Sequence, residues 1–234
     1  MAGVPVVFVP GLMCTGRIYQ HQVESLADTH PVLLANHWSQ PTMGEIAAQI
    51  LGNAPDQFAL VGTSMGGYVA FEIMRQAPNR VAGLVLIDTT ARPETSEASA
   101  KREVLIKLAE SDLDAVTEQL LPRLSHPDRM NLPAVRGVIQ AMATSLGKEV
   151  FQRQQRAIMG RADSRPTLAG IACPTLVICG HDDVITPPEL AKEMADGIRH
   201  AKLEIIAECG HLATLDQPEE VNRLLLDWIS SSKF

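Results

Sequence analysis

Three stretches of this 234-residue chain set reactive side chains where they could do chemistry together. The first, "VGTSMGGYVAFEI" (61–73), places Ser64 between Gly62 and Gly66, where an apolar run gives way to an amphipathic one. Glycines two before and two after the serine remove Cβ atoms that would clash in a sharp strand-to-helix turn. The hydroxyl is left lifted toward solvent on a strained backbone. A helix beginning just after Ser64 adds unpaired N–H groups where negative charge would develop. A serine at its ordinary pKa is a poor nucleophile, so it needs a base that a third group orients. "ECGHLATLDQPEE" supplies His211, and "CGHDDVITPPE" supplies both Asp182 and Asp183.

The elements that must carry these residues are legible as alternating patterns. Six short apolar, β-branched runs read as strands: 4–10, 31–36, 58–63, 81–88, 174–180 and 202–208. Most are followed by a helical pattern, and continuous apolar strands alternating with helices imply a parallel sheet covered on both faces. Thr42, with Glu45 three residues on, caps "TMGEIAAQIL", and "PPELAKEMADGI" opens on prolines suited to a first helical turn. Residues 94–166 break the alternation. They hold helical periodicity in "KREVLIKLAESDLDAVTEQLL" and "EVFQRQQRAIM", separated by breakers at Pro122, Pro127 and Pro133. The expected organisation is a core from 1–93 and 167–234 with a helical insertion at 94–166. In such sheets ligands sit outside the carboxyl ends of the strands, where Ser64, Asp182, Asp183 and His211 all fall.

With these motifs in view, the chain resembles the α/β-hydrolases that carry a helical cap. The resemblance rests on G-T-S-M-G-G, P-T-L-V-I-C-G-H-D-D-x-x-T-P and C-G-H-L-A-T-L-D-Q-P-E, and covers nearly everything outside the insertion. It implies an α/β-hydrolase fold of about six mostly parallel strands, because the chain starts at what is usually the third strand of that family. It also implies roles: Ser64 as nucleophile, His211 as base, and Asp183 rather than Asp182 as the orienting acid. Asp88, which ends the fourth strand, is a rival for that last role. The oxyanion donors would be the backbone N–H groups of Met65 and Leu12. The family usually has His-Gly where this chain has Pro10-Gly11, so the hydrogen bonding of that loop is expected to differ. The implied activity is hydrolysis of a small or medium carboxylic ester or lactone through an acyl-enzyme. The alternatives are a C–C bond hydrolase or menaquinone-pathway-like lyase using the same three residues, or a non-catalytic ligand-binding relative.

Composition narrows the partners. The chain is 46% hydrophobic and 20% charged, with 20 Lys+Arg against 27 Asp+Glu, a net charge of −7 that argues against a nucleic-acid surface. No run approaches the length of a membrane span, and a signal peptide is not expected from Pro5 and Pro10 inside the first apolar stretch. Cys14, Cys173, Cys179 and Cys209 lack metal-site spacing and read as free thiols of a cytoplasmic protein. No metal and no organic cofactor is called for, and the expected partner is a small-molecule ester or acyl substrate. "GLMCTGRI" imitates a phosphate loop but has Arg17 and Ile18 where Lys and Ser/Thr are required. Cys209 reads as a buried small hydrophobe. The other histidines, His21, His30, His37, His126, His181 and His200, are expected in surface or loop roles. In 129–165, Arg129, Arg136, Lys148, Arg153, Arg156, Arg161 and Arg165 face only Glu149 and Asp163. That excess either solvates helix faces or greets an anionic substrate. Met65, Met130, Met142 and Met159 are candidates for an acyl pocket or for core filling. Oligomeric state is left open.

Overall fold

The computed structural model describes residues 3–232. Its strands are β1 (Val6–Val9), β2 (Val32–Leu34), β3 (Phe58–Thr63), β4 (Val81–Ile87), β5 (Thr175–Gly180) and β6 (Lys202–Ile206). They form one sheet in the order β2-β1-β3-β4-β5-β6, with every neighbouring pair parallel. The helices in chain order are α1 (Gln20–Leu26), α2 (Met43–Asn53), α3 (Met65–Gln76), α4 (Ser96–Ser111), α5 (Leu113–Leu124) and α6 (Pro133–Met159). They are followed by α7 (Arg165–Leu168), α8 (Pro188–Gly197), α9 (Ala213–Asp216) and α10 (Pro218–Ser231).

Strand side chains alternate between two cores, as the period of two demands. Val7, Val9, Leu60, Leu84, Leu86 and Val177 pack toward α2, α3 and α8. Val6, Phe8, Val61, Val85, Ile87 and Ile178 pack toward α1 and α10. Both faces are covered, which is why these runs are apolar at successive positions rather than at alternate ones. A third, smaller cluster joins α4, α5 and α6 through Ala109, Val116 and Phe151, and it reaches Leu12 and Met13 in the loop after β1.

The region between β4 and β5 is helical, but its punctuation differs from the sequence expectation. The run 101–121 is broken at Asp112, whose side chain accepts the Ala115 N–H at 2.8 Å and so caps α5. Pro133 opens α6 instead of interrupting it, because a residue in the first turn needs no N–H for the helix ladder. Pro122 lies inside α5, near its end. The kink in this region comes from Gly147, at φ 78°, which divides α6 into two segments. No helix among the described residues is long and apolar enough to cross a membrane.

The middle of the sheet should dominate stability. Leu86 on β4 is fully buried, so Leu86→Ala should destabilise the fold by about 2–5 kcal/mol through lost burial and the cavity left behind. Urea denaturation checks this: the midpoint should fall while the denaturant slope stays constant.

Candidate active site

Because all six strands run the same way, the loops after β1, β3, β4, β5 and β6 emerge at one edge of the sheet. Ser64 follows β3 directly and caps α3 at φ 53° and ψ −115°, a positive-φ conformation that costs a non-glycine residue on the order of 1–3 kcal/mol. The neighbours over-determine it. A Cβ on Gly66 would stand 1.9 Å from the Val9 carbonyl oxygen, and one on Gly62 would stand 2.5 Å from the Gly66 oxygen. Only glycine allows the chain to pass itself this closely. The Ser64 N–H donates to Ile87 O at 2.9 Å, and its carbonyl accepts from the Thr89 hydroxyl at 2.7 Å. On the other side of β3, the Tyr19 hydroxyl bridges Val9 O at 2.9 Å and Thr63 Oγ1 at 2.8 Å.

Three of the residues singled out in the sequence meet in one chain of hydrogen bonds. His211 Nε2 lies 2.8 Å from Ser64 Oγ, and His211 Nδ1 lies 2.8 Å from Asp183 Oδ2. A carboxylate can only accept, so Nδ1 carries the ring proton and Nε2 is free to accept from the serine. The side chain of His211 is 3% exposed. Asp183 is held by four donors: Ile185 N–H and Thr186 N–H on Oδ1, with the Thr186 hydroxyl and His211 on Oδ2. Burial pushes its carboxyl up, but the charge of His211 and these hydrogen bonds outweigh burial and bring it down to about 2. Asp182 is half-exposed and lies against His181 and His126 instead.

Asp88 is also buried, yet it takes a different place. Its oxygens accept the N–H groups of Gly180, at the end of β5, and Ala213, two residues after His211, both at 2.9 Å. It ties the loop carrying the acid to the loop carrying the imidazole without bonding to the ring. Burial, then the charge of Asp183, pushes its carboxyl well above the usual carboxylate range. The negative charge beside His211 therefore belongs to Asp183. Asp88, Asp183 and Cys179 bring ligand-type atoms within 4.8 Å of one another, but the carboxylate oxygens already have their donors. The thiol of Cys179 is buried, and burial pushes it up; the same is true of Cys209 beside the histidine loop.

Two positioning residues were not distinguished in the sequence. Asp216 on α9 accepts from Gly210 N–H and His126 N–H, both at 2.8 Å, and from the Ser125 hydroxyl. Asp216 thus links the insertion to the residue just before His211. His37, expected in a surface or loop role, sits in the loop after β2 but is buried, with Nε2 2.8 Å from Gly11 O. Burial lowers its pKa to about 4, so near neutral pH the ring is uncharged and Nε2 must carry the hydrogen that the carbonyl accepts. An imidazole from a different loop thus holds the Pro10-Gly11 turn. A short buried aspartate and a loop histidine carry no periodic signal, which is why the sequence offered no way to rank them.

Leu12 and Met65 lie on either side of Ser64, one in the loop after β1 and one at the start of α3. A Cβ on Gly11 would be 3.3 Å from the Ser64 Cβ, so the two segments are in contact. Among the described residues neither Leu12 N–H nor Met65 N–H has a hydrogen-bond acceptor. Of the cationic residues in the insertion, Arg136 pairs with Glu118, Arg165 with Asp163, and Arg153 donates to Trp38 O. Arg161, its side chain 9% exposed, pairs with Glu94 and lies 4.4 Å over the Tyr68 ring. Met65 and Met142 are buried, and Met142 Sδ accepts the Thr15 N–H at 3.3 Å. A surface hollow of about 350 Å³ lined by residues 33–36 and by Gln49, Ile50 and Asn53 includes none of these groups.

Comparison with known proteins agrees with this architecture. Residues 6–224 match the model of a family described as the alpha/beta hydrolase family. The fold is similar to that of a thermophilic esterase from Thermogutta terrifontis, with a TM-score of 0.91 and 31% identity, covering 98% of this chain and 90% of that one. The sequence is 25% identical to a pimeloyl-[acyl-carrier protein] methyl ester esterase of Chromobacterium violaceum, over 98% of this chain and 95% of the relative. It is 28% identical to a 2-hydroxy-6-oxo-6-phenylhexa-2,4-dienoate hydrolase of Comamonas testosteroni, over 73% of this chain and 62% of the relative.

The depressed pKa of Asp183 has a consequence for stability. Its value of about 2 in the fold lies below the roughly 3.9 of an unfolded aspartate. The ionised carboxylate therefore stabilises the fold above pH 4, and that contribution is lost as pH falls toward 2. Asp183→Asn should remove a contribution on the order of 2 kcal/mol at pH 6. Denaturation at a series of pH values should show the gap between the two proteins closing between pH 4 and pH 2.

Proposed function

From its place in the alpha/beta hydrolase family, to which this chain belongs, we propose that it is a serine hydrolase cleaving small or medium carboxylic esters or lactones. The observation that carries the reading is the pair of 2.8 Å contacts linking Ser64 Oγ, His211 and Asp183. That the esterases among its relatives match over nearly the full chain supports the same choice.

In this reading Ser64 Oγ attacks the carbonyl carbon while His211 Nε2 takes its proton. Asp183 holds the ring in the tautomer that makes Nε2 the acceptor, and it stabilises the imidazolium that forms. The new oxyanion is received by the N–H groups of Leu12 and Met65, with the first turn of α3 behind it. His211 returns the proton to the leaving alcohol oxygen as the C–O bond breaks, leaving Ser64 acylated. A water then gives its proton to His211, attacks the acyl carbon and releases the acid, and the proton goes back to Ser64. Ser64 and His211 are each used twice: the serine's proton leaves with the alcohol, and the attacking water replaces it.

A colorimetric ester tests the proposal. Hydrolysis of p-nitrophenyl butyrate should be abolished by Ser64→Ala, and a serine-directed organophosphate should add once per chain, at Ser64 on peptide mapping. A label elsewhere, or full turnover by the alanine variant, refutes it. Inertness toward simple esters together with cleavage of a vinylogous diketone would shift the reading to C–C bond hydrolysis by the same residues.

The loop after β1 offers a second test. Without the His37 donor, Gly11 O loses the bond that fixes the Leu12 N–H, and small misplacements of catalytic groups cost up to about a hundredfold in rate. His37→Phe should lower kcat ten- to a hundredfold with KM less affected, as steady-state kinetics on the same ester will show.

A further inference from the structure

Behind the Gly11–Met13 loop, the insertion buries more donors than acceptors. Gln154 and Gln155 on α6 are both fully buried. The side-chain oxygen of Gln154 accepts the Met13 N–H at 2.9 Å, and that of Gln155 accepts Arg102 Nη1 at 2.6 Å. Those bonds fix both amide orientations, because the oxygen alone can accept. Each Nε2 is therefore a donor, and neither has a partner among the described residues. Arg102, which donates to Gln155 through Nη1, has a side chain 22% exposed and pairs its Nε with Glu94 Oε1 at 3.1 Å.

Charge points the same way. Glu94, 3% exposed in its side chain, is the carboxylate that contacts both Arg102 and Arg161. Two guanidinium groups and one carboxylate leave one positive charge in excess. Asp183, the other carboxylate whose charge reaches Tyr68, is committed to His211. A protein leaves buried donors unpaired at a cost, and an anionic acceptor would meet that deficit while suiting the excess positive charge of the two guanidinium groups. The position is apt. Gln154 bonds to the residue next to Leu12, and Arg161 covers the ring of Tyr68, one turn of α3 beyond Ser64.

We propose that Arg102, Gln154 and Gln155 form a subsite for a carboxylate on the substrate, so that the preferred ester is the half-ester of a short dicarboxylic acid. This deepens the ester-hydrolase reading and rests on it for the reaction, though not for the binding. Arg102 and the two amides would grip the free carboxylate, while the ester carbonyl lies at Ser64 Oγ. The Gln154 bond to Met13 would couple an occupied subsite to the loop that carries the Leu12 N–H.

Two measurements test it. In the first, glutarate is titrated by calorimetry into Ser64→Ala protein, with and without Arg102→Gln or Gln155→Leu. Saturable binding weakened tenfold or more by either substitution is expected. Binding that is absent, or indifferent to both, overturns the subsite. In the second, kcat/KM is compared for 4-nitrophenyl hydrogen glutarate and for neutral 4-nitrophenyl pentanoate. The ratio of anionic to neutral ester should fall tenfold or more in each variant, whereas equal losses on the two esters overturn the proposal. Gln155→Leu replaces an amide with an apolar group of similar size, so the test survives if Arg102→Gln fails to fold. Wild-type protein inert to both esters but binding glutarate through Arg102 would sink the ester reading and leave the subsite standing.

Discussion

A single contact, the 2.8 Å approach of His211 Nε2 to Ser64 Oγ, sets the tolerance for everything around it. The two residues are 147 positions apart and belong to different loops, so neither local sequence nor helix geometry can hold them together. What holds them is a set of buried acceptors that tie backbone to backbone. Asp88 spans the acid loop and the histidine loop, Asp216 spans the histidine loop and the insertion, and Ile87 O receives the Ser64 N–H. In a dry environment such carboxylates are worth keeping only if every oxygen finds a donor, which these do.

The arrangement also separates two carboxyl groups by environment. Asp183 and Asp88 are near neighbours behind the same imidazole, and both cannot carry charge cheaply. Asp183 collects the histidine, a hydroxyl and two N–H groups, while Asp88 has two N–H groups and deeper burial. The pKa of one is driven down and that of the other up. The second acid then serves as a brace, and the first keeps the ring in one tautomer.

The insertion is more than a cover placed over a finished site. It touches the Ser64 environment at both ends: Ser125 and His126 bond to Asp216 beside His211, and Gln154 bonds to Met13 beside Leu12. A methyl on Gly210 would fall 2.7 Å from the backbone at Ser125 and His126, so the contact is close as well as hydrogen-bonded. Movement of these helices would therefore be felt by His211 and by the loop carrying Leu12 N–H together.

The sequence by itself determined the six strands, their parallel sense and the close passage at Gly62 and Gly66, because each is written in a local pattern of apolar runs and missing Cβ atoms. It also brought forward Ser64, His211 and the pair Asp182 and Asp183, since a strand end followed by a reactive residue is recognisable within a dozen positions; the preference for Asp183 came from the family resemblance. Local pattern found the insertion helical and Pro133 as a boundary, but it did not show that Asp112 divides one helix, that Pro122 lies within another or that Gly147 bends a third. Punctuation residues have several meanings that only their neighbours distinguish. Tertiary structure alone decided that Asp88 braces instead of orienting the ring, that His37 holds Gly11, and that Gln154 bonds to Met13 while Gln155 bonds to Arg102. Those roles depend on which buried polar atoms face each other across distant loops, and the balance between burial and hydrogen bonding exists only once the chain has folded.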